Sequence, residues 1–236
     1  MEEIVYLEAD MSNYFIYLAL IVLIPIYAQM KVKSTYNKYS KVPSSTAMTG
    51  AEVARRILDD NGLYNVRIEE TRGYLSDHYD PRSKVVRLSS ANYHGHSLAS
   101  TAVSAHEVGH AIQDQQEYAF LRFRHSLVPI ANIGSNLSWV FILIGIIATI
   151  PSFMLLGIFF MLAAVLFQVV TLPVEFNASS RAMDQVVALG IIRNEEEKET
   201  KSVLNAAALT YVAAAAVAVL ELVRLILIYT GMTRND

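Results

Sequence analysis

The sequence predicts a mainly α-helical fold with four transmembrane helices and one small α+β region outside the membrane. Three observations predict it. Hydrophobic residues make up 53% of the 236 and charged residues only 17%, with a mean hydropathy of +0.34; that balance exceeds what a soluble domain carries. Four uncharged or nearly uncharged runs are each long enough to cross a bilayer, which takes about 20 helical residues. Between the first and second runs the pattern changes to short amphipathic helices and alternating strands.

The first run, Tyr14 to Met30, follows the acidic positions Glu2, Glu3, Glu8 and Asp10 and precedes Lys31, Lys33, Lys38 and Lys41. This reads as an uncleaved anchor with its N-terminus outside, because a signal peptide would begin with positive charge. Thr49-Gly50-Ala51-Glu52 is a capping box. It opens a short helix with an apolar face of Val53, Ala54, Ile57 and Leu58, closed by Asn61-Gly62. Val66 to Glu70 reads as a strand. Tyr74 to Tyr79 and Lys84 to Ser89, joined by Asp80-Pro81-Arg82-Ser83, read as a hairpin. The next helix is expected from about Ser97 to Gln116. Leu127 to Ile150 and Phe153 to Leu172 form a tight transmembrane hairpin broken at Pro151-Ser152. A further helix is expected to start at Pro173, a residue favoured at that position, and to end at Gly190. Asn194 with Glu197 three residues on predicts the cap of the last helix, apolar from Val203 to Tyr229 and interrupted by Glu221 and Arg224.

The chain thus divides into an anchor (1–30), a cytoplasmic region (31–126), a transmembrane hairpin (127–172), a cytoplasmic helix (173–202) and a last span (203–236). Both termini are expected outside. Of the 19 Lys and Arg, all but Arg224 and Arg234 then fall on the inside, as the positive-inside rule requires. The net charge of −3 offers no general attraction to nucleic acid.

Chemistry concentrates in Ser104-Ala105-His106-Glu107-Val108-Gly109-His110. Residues four apart share a helix face, so His106 and His110 can reach one ion. The chain has no cysteine, so a thiolate site is excluded and a zinc ion would need His, Asp or Glu as its third ligand. Glu107, beside the first histidine, is placed to act as general base toward a zinc-activated water. Glu175 lies on the same predicted side and is the candidate third ligand, though it reads equally as an acid stabilised near a helix N-terminus. Asn177, Ser179 and Arg181 could hydrogen-bond the ligands. His78 and Arg181 are candidate donors to the oxyanion that peptide hydrolysis develops.

Five blocks carry a resemblance: LSDHYDPRSKVVRLS from Leu75, AHEVGHAIQ from Ala105, LVPIANIGSNL from Leu127, PVEFNASSRA from Pro173 and VLNAAALTYVAAA from Val203. In that order the chain resembles the YugP-type family of membrane neutral zinc metallopeptidases, and more distantly the gluzincins with transmembrane hairpins. The resemblance implies a zincin-like cytoplasmic catalytic region, a Zn²⁺ cofactor, and Glu175 as the Glu of an E-x-x-x-D motif. Ser179 stands where that motif has Asp, and Asn177 where YugP-type relatives are expected to carry Asp. The expected activity is zinc-dependent peptide hydrolysis at the cytoplasmic face of the cell membrane. The expected partners are a peptide or protein substrate and the lipid bilayer, with a homo-oligomer left open. The alternative is a non-catalytic membrane scaffold or quality-control adaptor with a structural zinc.

Overall fold

The structure, a computed structural model, describes residues 2–234, with side chains over 14–233; Glu2, Glu3, Glu8, Asp10 and Arg234 lie outside the described side chains. Its elements are α1 (Glu2–Tyr39), α2 (Gly50–Asp60), β1 (Arg67–Thr71), β2 (His78–Asp80), β3 (Val85–Ser89), α3 (Ser90–Tyr93), α4 (Leu98–Gln115), α5 (Ala119–Ile147), α6 (Pro151–Ala188), a 3-10 turn at Asn194–Glu196, and α7 (Glu197–Arg234). The chain falls into two compact units.

The first unit comprises Met1–Gln29, Arg124–Val170 and Thr210–Asp236. Its segments belong to α1, α5, α6 and α7, the four described helices long and apolar enough to cross a membrane. Such helices satisfy their own backbone groups, and their outward faces can remain apolar; Ile26, Ile133, Trp139, Leu143, Phe159 and Leu166 are exposed accordingly. Within this unit α5 and α6 pack closely through small residues, as membrane helices commonly do. A Cβ on Gly157 would stand 2.6 Å from Ile142 Cγ1 and 2.9 Å from the Ser138 carbonyl oxygen. Ser138 Oγ donates to the Gly157 carbonyl at 2.9 Å, and Phe141 stacks on Phe153 and Phe160. The Arg224 guanidinium lies 4.7 Å from the ring centre of Tyr17 and 5.5 Å from that of Tyr14, a cation–π placement.

The second unit comprises Met30–Phe123 and Thr171–Leu209. Its core joins Val53, Ile57 and Leu58 of α2 to Val86 and Leu88 of β3, Leu98, Ala105, Val108 and Ile112 of α4, and Ala182 and Val186 of α6. α2 has the predicted capping box: Thr49 Oγ1 accepts from the Glu52 N–H at 3.1 Å, and Glu52 Oε2 accepts from the Thr49 N–H at 2.7 Å. The sheet order is β1-β3-β2, with β1 parallel and β2 antiparallel to β3.

Several boundaries differ from the sequence reading, among them the following. The first hairpin strand starts at His78, not Tyr74: Leu75 has φ +53°, outside the extended region, and Asp77 turns its carboxylate to the Ser89 N–H at 2.7 Å. α5 begins at Ala119, so the spanning helix carries a further turn and more on its N-terminal side. α6 runs unbroken through Pro173; the ring's fixed φ is helical, and the cost is the missing bond to the Val169 carbonyl. The last helix is capped one residue early, the Arg193 N–H donating to Glu196 Oε2 at 2.8 Å, because Glu196 also holds the Ser45 N–H and hydroxyl at 2.8 and 2.7 Å.

Candidate metal centre

α4 begins at a Ser97 cap, whose Oγ accepts from the Ser100 N–H. Ala102, Ala105, Val108, Ala111 and Ile112 bury its core face. The histidines share another face, their ring centres 4.8 Å apart and their planes at 84°. α6 supplies Glu175, 2% exposed. Its Oε2 lies 3.3 Å from His106 Nε2 and 3.5 Å from His110 Nε2. These three are the described group whose ligand atoms converge as a metal ion requires. Bonds of roughly 2.0–2.2 Å in a tetrahedral shell place ligand atoms about 3.3–3.6 Å apart. The two carboxylate–imidazole spacings and the two-imidazole, one-carboxylate donor set therefore fit zinc, with all three ligand atoms within 4.8 Å of one another.

The backs of both rings are engaged. Ser179 Oγ is hydrogen-bonded to His106 Nδ1 at 3.2 Å, and Gln113 Oε1 to His110 Nδ1 at 3.0 Å. Partners on the far nitrogen are what orient a metal-binding imidazole. Gly109 lets the helices meet: a Cβ there would stand 2.5 Å from the Ala178 carbonyl oxygen.

Glu107 is 8% exposed. Burial pushes its carboxyl up to about 7, aided by the charges of Asp77 and Glu175 and opposed by His106 and by a hydrogen bond from the Tyr79 N–H. β2 is fastened to α4 at a second point, where the Tyr79 hydroxyl donates to Asp114 Oδ2 at 2.7 Å. The carboxylate beside the converging ligands is thus poised between its charged and neutral forms near neutral pH.

The other candidates stand further off. His78 is exposed on β2, with Nδ1 2.8 Å from the Ser76 carbonyl and Nε2 3.5 Å from Arg87; it is not in the converging group. Arg181 Nε donates to Asn177 Oδ1 at 2.7 Å and its Nη1 to Gln116 Oε1 at 2.6 Å. Of the three proposed ligand partners, Ser179 touches a histidine directly, whereas Asn177 and Arg181 reach one through Gln113. Gln113, Gly109 and Tyr79 went unmarked in the sequence reading. The signal for Gln113 was its position three residues past His110, on the same helix face.

The model of a family described as "Putative neutral zinc metallopeptidase" matches residues 14–230. The chain is 51% identical over 216 residues to "Putative membrane protease YugP" of Bacillus subtilis (strain 168), covering 91% of this chain and 96% of that protein. No solved structure matches it. A match over most of the chain, a full-length relative and a donor set suited to zinc agree: the chain belongs to the YugP-type family, the one described as "Putative neutral zinc metallopeptidase".

Proposed function

We propose that this protein is a membrane-embedded zinc metalloendopeptidase that hydrolyses peptide bonds at the cytoplasmic face. One observation carries the reading: two imidazole nitrogens and one carboxylate oxygen converge on one point, with the buried Glu107 next to the first histidine. His106, His110 and Glu175 would hold the ion. When bound, zinc supplies the Lewis acidity that makes water nucleophilic near pH 7 and polarises the scissile carbonyl. Glu107, held by the Tyr79 N–H, takes a proton from the attacking water and returns it to the departing amine. Water and peptide thereby become a carboxylic acid and an amine. Ser179 and Gln113 keep the two rings aimed at Glu175. His78 is the exposed candidate for steadying the carbonyl oxygen; Arg181 acts at one remove, through Asn177. The distribution of Lys and Arg supports a cytoplasmic site with both termini outside.

The test is zinc content and peptide cleavage by the purified full chain in detergent. Wild type should hold about one zinc per chain and cleave. Glu107→Gln should keep the metal and lose turnover, and folded His110→Ala and Glu175→Ala should lose the metal. Zinc retained in Glu175→Ala would remove it as a ligand; full activity in Glu107→Gln would remove it as the base. A zinc-loaded wild type that cleaves nothing would favour the scaffold with a structural zinc.

A further inference from the structure

Gln113 is wholly buried, at 0% exposure, although it carries an amide. Such a group is costly inside a protein unless its hydrogen bonds are made. Here they are made, and their directions follow from which partners can donate. Its Nε2 donates to the Val174 carbonyl at 2.8 Å and to Asn177 Oδ1 at 2.9 Å. The Val174 carbonyl can only accept. Asn177 Oδ1 is fixed as an acceptor by Arg181, whose Nε reaches it at 2.7 Å and which has no acceptor of its own. The amide therefore cannot be flipped, and Oε1 is the atom that faces His110. A carbonyl oxygen only accepts, so His110 Nδ1 must carry the hydrogen across the 3.0 Å contact. That leaves the His110 Nε2 lone pair directed toward Glu175.

We infer that Gln113 is the positioning residue of this metal centre: its amide, with polarity set by Arg181 through Asn177, selects the metal-binding tautomer of His110 and ties α4 to the α6 backbone at the residue preceding Glu175. The inference rests on the zinc reading above. It unites in one side chain two requirements that the ligands cannot meet themselves. His110 must present Nε2 rather than Nδ1, and α6 must hold its carboxylate in range of both histidines. It also gives Arg181 a part distinct from contact with substrate.

The experiment compares wild type, Gln113→Leu, Gln113→Glu and His110→Ala as full chains in detergent. Zinc affinity is measured by competition with a chelating dye, fold by circular dichroism, and ligand geometry by the visible spectrum of the Co²⁺ form. Loss of an orienting partner typically weakens metal binding about 10–100-fold, and that is the loss expected for Gln113→Leu. Gln113→Glu keeps an acceptor for His110 Nδ1–H but sets its second oxygen against the Val174 carbonyl and Asn177 Oδ1, both acceptors, so it too should bind zinc at least about tenfold more weakly than wild type. Its Co²⁺ band should shift from wild type, since the partner of His110 has become charged. A folded Gln113→Leu or Gln113→Glu that binds zinc like wild type would overturn the inference. Should Gln113→Leu fail to fold, an unshifted Co²⁺ band in Gln113→Glu overturns it. No zinc in wild type would instead bring down the zinc reading, and this inference with it.

Discussion

Gly109→Ala is a one-carbon change whose two effects have opposite signs. Within an isolated helix it should help, since Ala is favoured over Gly by roughly 0.5–1 kcal/mol. In this fold the new Cβ would stand 2.5 Å from the Ala178 carbonyl oxygen, 3.1 Å from its carbonyl carbon and 3.2 Å from its Cα. All three are backbone atoms, so no side chain can swing aside. Restoring ordinary contact needs α6 to retreat by about 0.9 Å at Ala178, and overpacking of this kind costs about 1–3 kcal/mol. Glu175 lies less than one turn earlier on the same rigid helix and must move with it. Its oxygen is 3.3 and 3.5 Å from the histidine nitrogens, so a shift approaching 1 Å is a large part of the ligand spacing. A misplacement of that size costs about 10²-fold in rate. Zinc affinity by dye competition should fall at least about tenfold, cleavage should fall about 100-fold, and circular dichroism should stay helical. A Gly109→Ala chain that binds zinc and cleaves as wild type does would refute the idea that the α4–α6 approach sets the site.

Three further outcomes follow from the same geometry. The Glu107 carboxyl is raised from about 4.5 to about 7 in the metal-free fold, so between those values this group holds more of its proton in the folded chain than in the unfolded one. Its contribution to metal-free stability should therefore be unpenalised below about pH 4.5, decline as pH rises to about 7 and then level off; Glu107→Gln should be the more stable apoprotein at pH 8 by up to about 3 kcal/mol and no more stable at pH 4, and the difference between wild-type and variant thermal melts with chelator at both pH values reads this directly. Asp77→Ala strips acceptors from the Ser89 N–H and Asn92 Nδ2 and should cost about 1–3 kcal/mol, seen as a lower melting temperature. Because the chain has no cysteine, Thr149→Cys in the turn between α5 and α6 should react with an impermeant thiol reagent from outside intact cells, and Ser83→Cys only after lysis; the reverse pattern would invert the proposed topology.

What the sequence made legible is what depends on local pattern. The four apolar runs announce helices by length alone, and Thr49 with Glu52 announces a cap because both partners lie within one turn. His106 and His110 announce a shared face because helical geometry is fixed. Glu175 could be nominated because it lies on the same predicted side as the histidines, and the structure does bring it to them. What stayed hidden depends on approach between segments distant in sequence. Pro173 reads as a start, yet α6 passes through it, since a proline forbids one hydrogen bond and not helical φ. Gly109 looks like a weak helix residue until Ala178 is set against it. Gln113 looks like one of several polar residues at a helix end until its amide is seen to be enclosed.

These hidden residues are linked, which bears on how their substitutions should combine. On α4, His106, Gly109, His110 and Gln113 form one stripe; on α6, Val174, Glu175, Asn177, Ala178 and Ser179 lie within a turn and a half. Every contact between the stripes helps to fix the same ligand geometry. Ser179 faces His106, Ala178 fits Gly109, Glu175 faces both histidines, and Val174 with Asn177 holds Gln113. If each contact acted alone, losses in zinc affinity from Ser179→Ala and Gln113→Leu would add. Both, however, restrain the same helix pair, and freeing either end lets α6 shift beneath the other. The double variant should therefore lose less than the sum of the single losses, with a coupling of about 0.5–3 kcal/mol of binding free energy, the range for residues in one network. Strict additivity in that cycle would mean that the two histidines are oriented independently, and that α6 is held against α4 by its apolar contacts at Ala182 and Val186 rather than by the polar stripe.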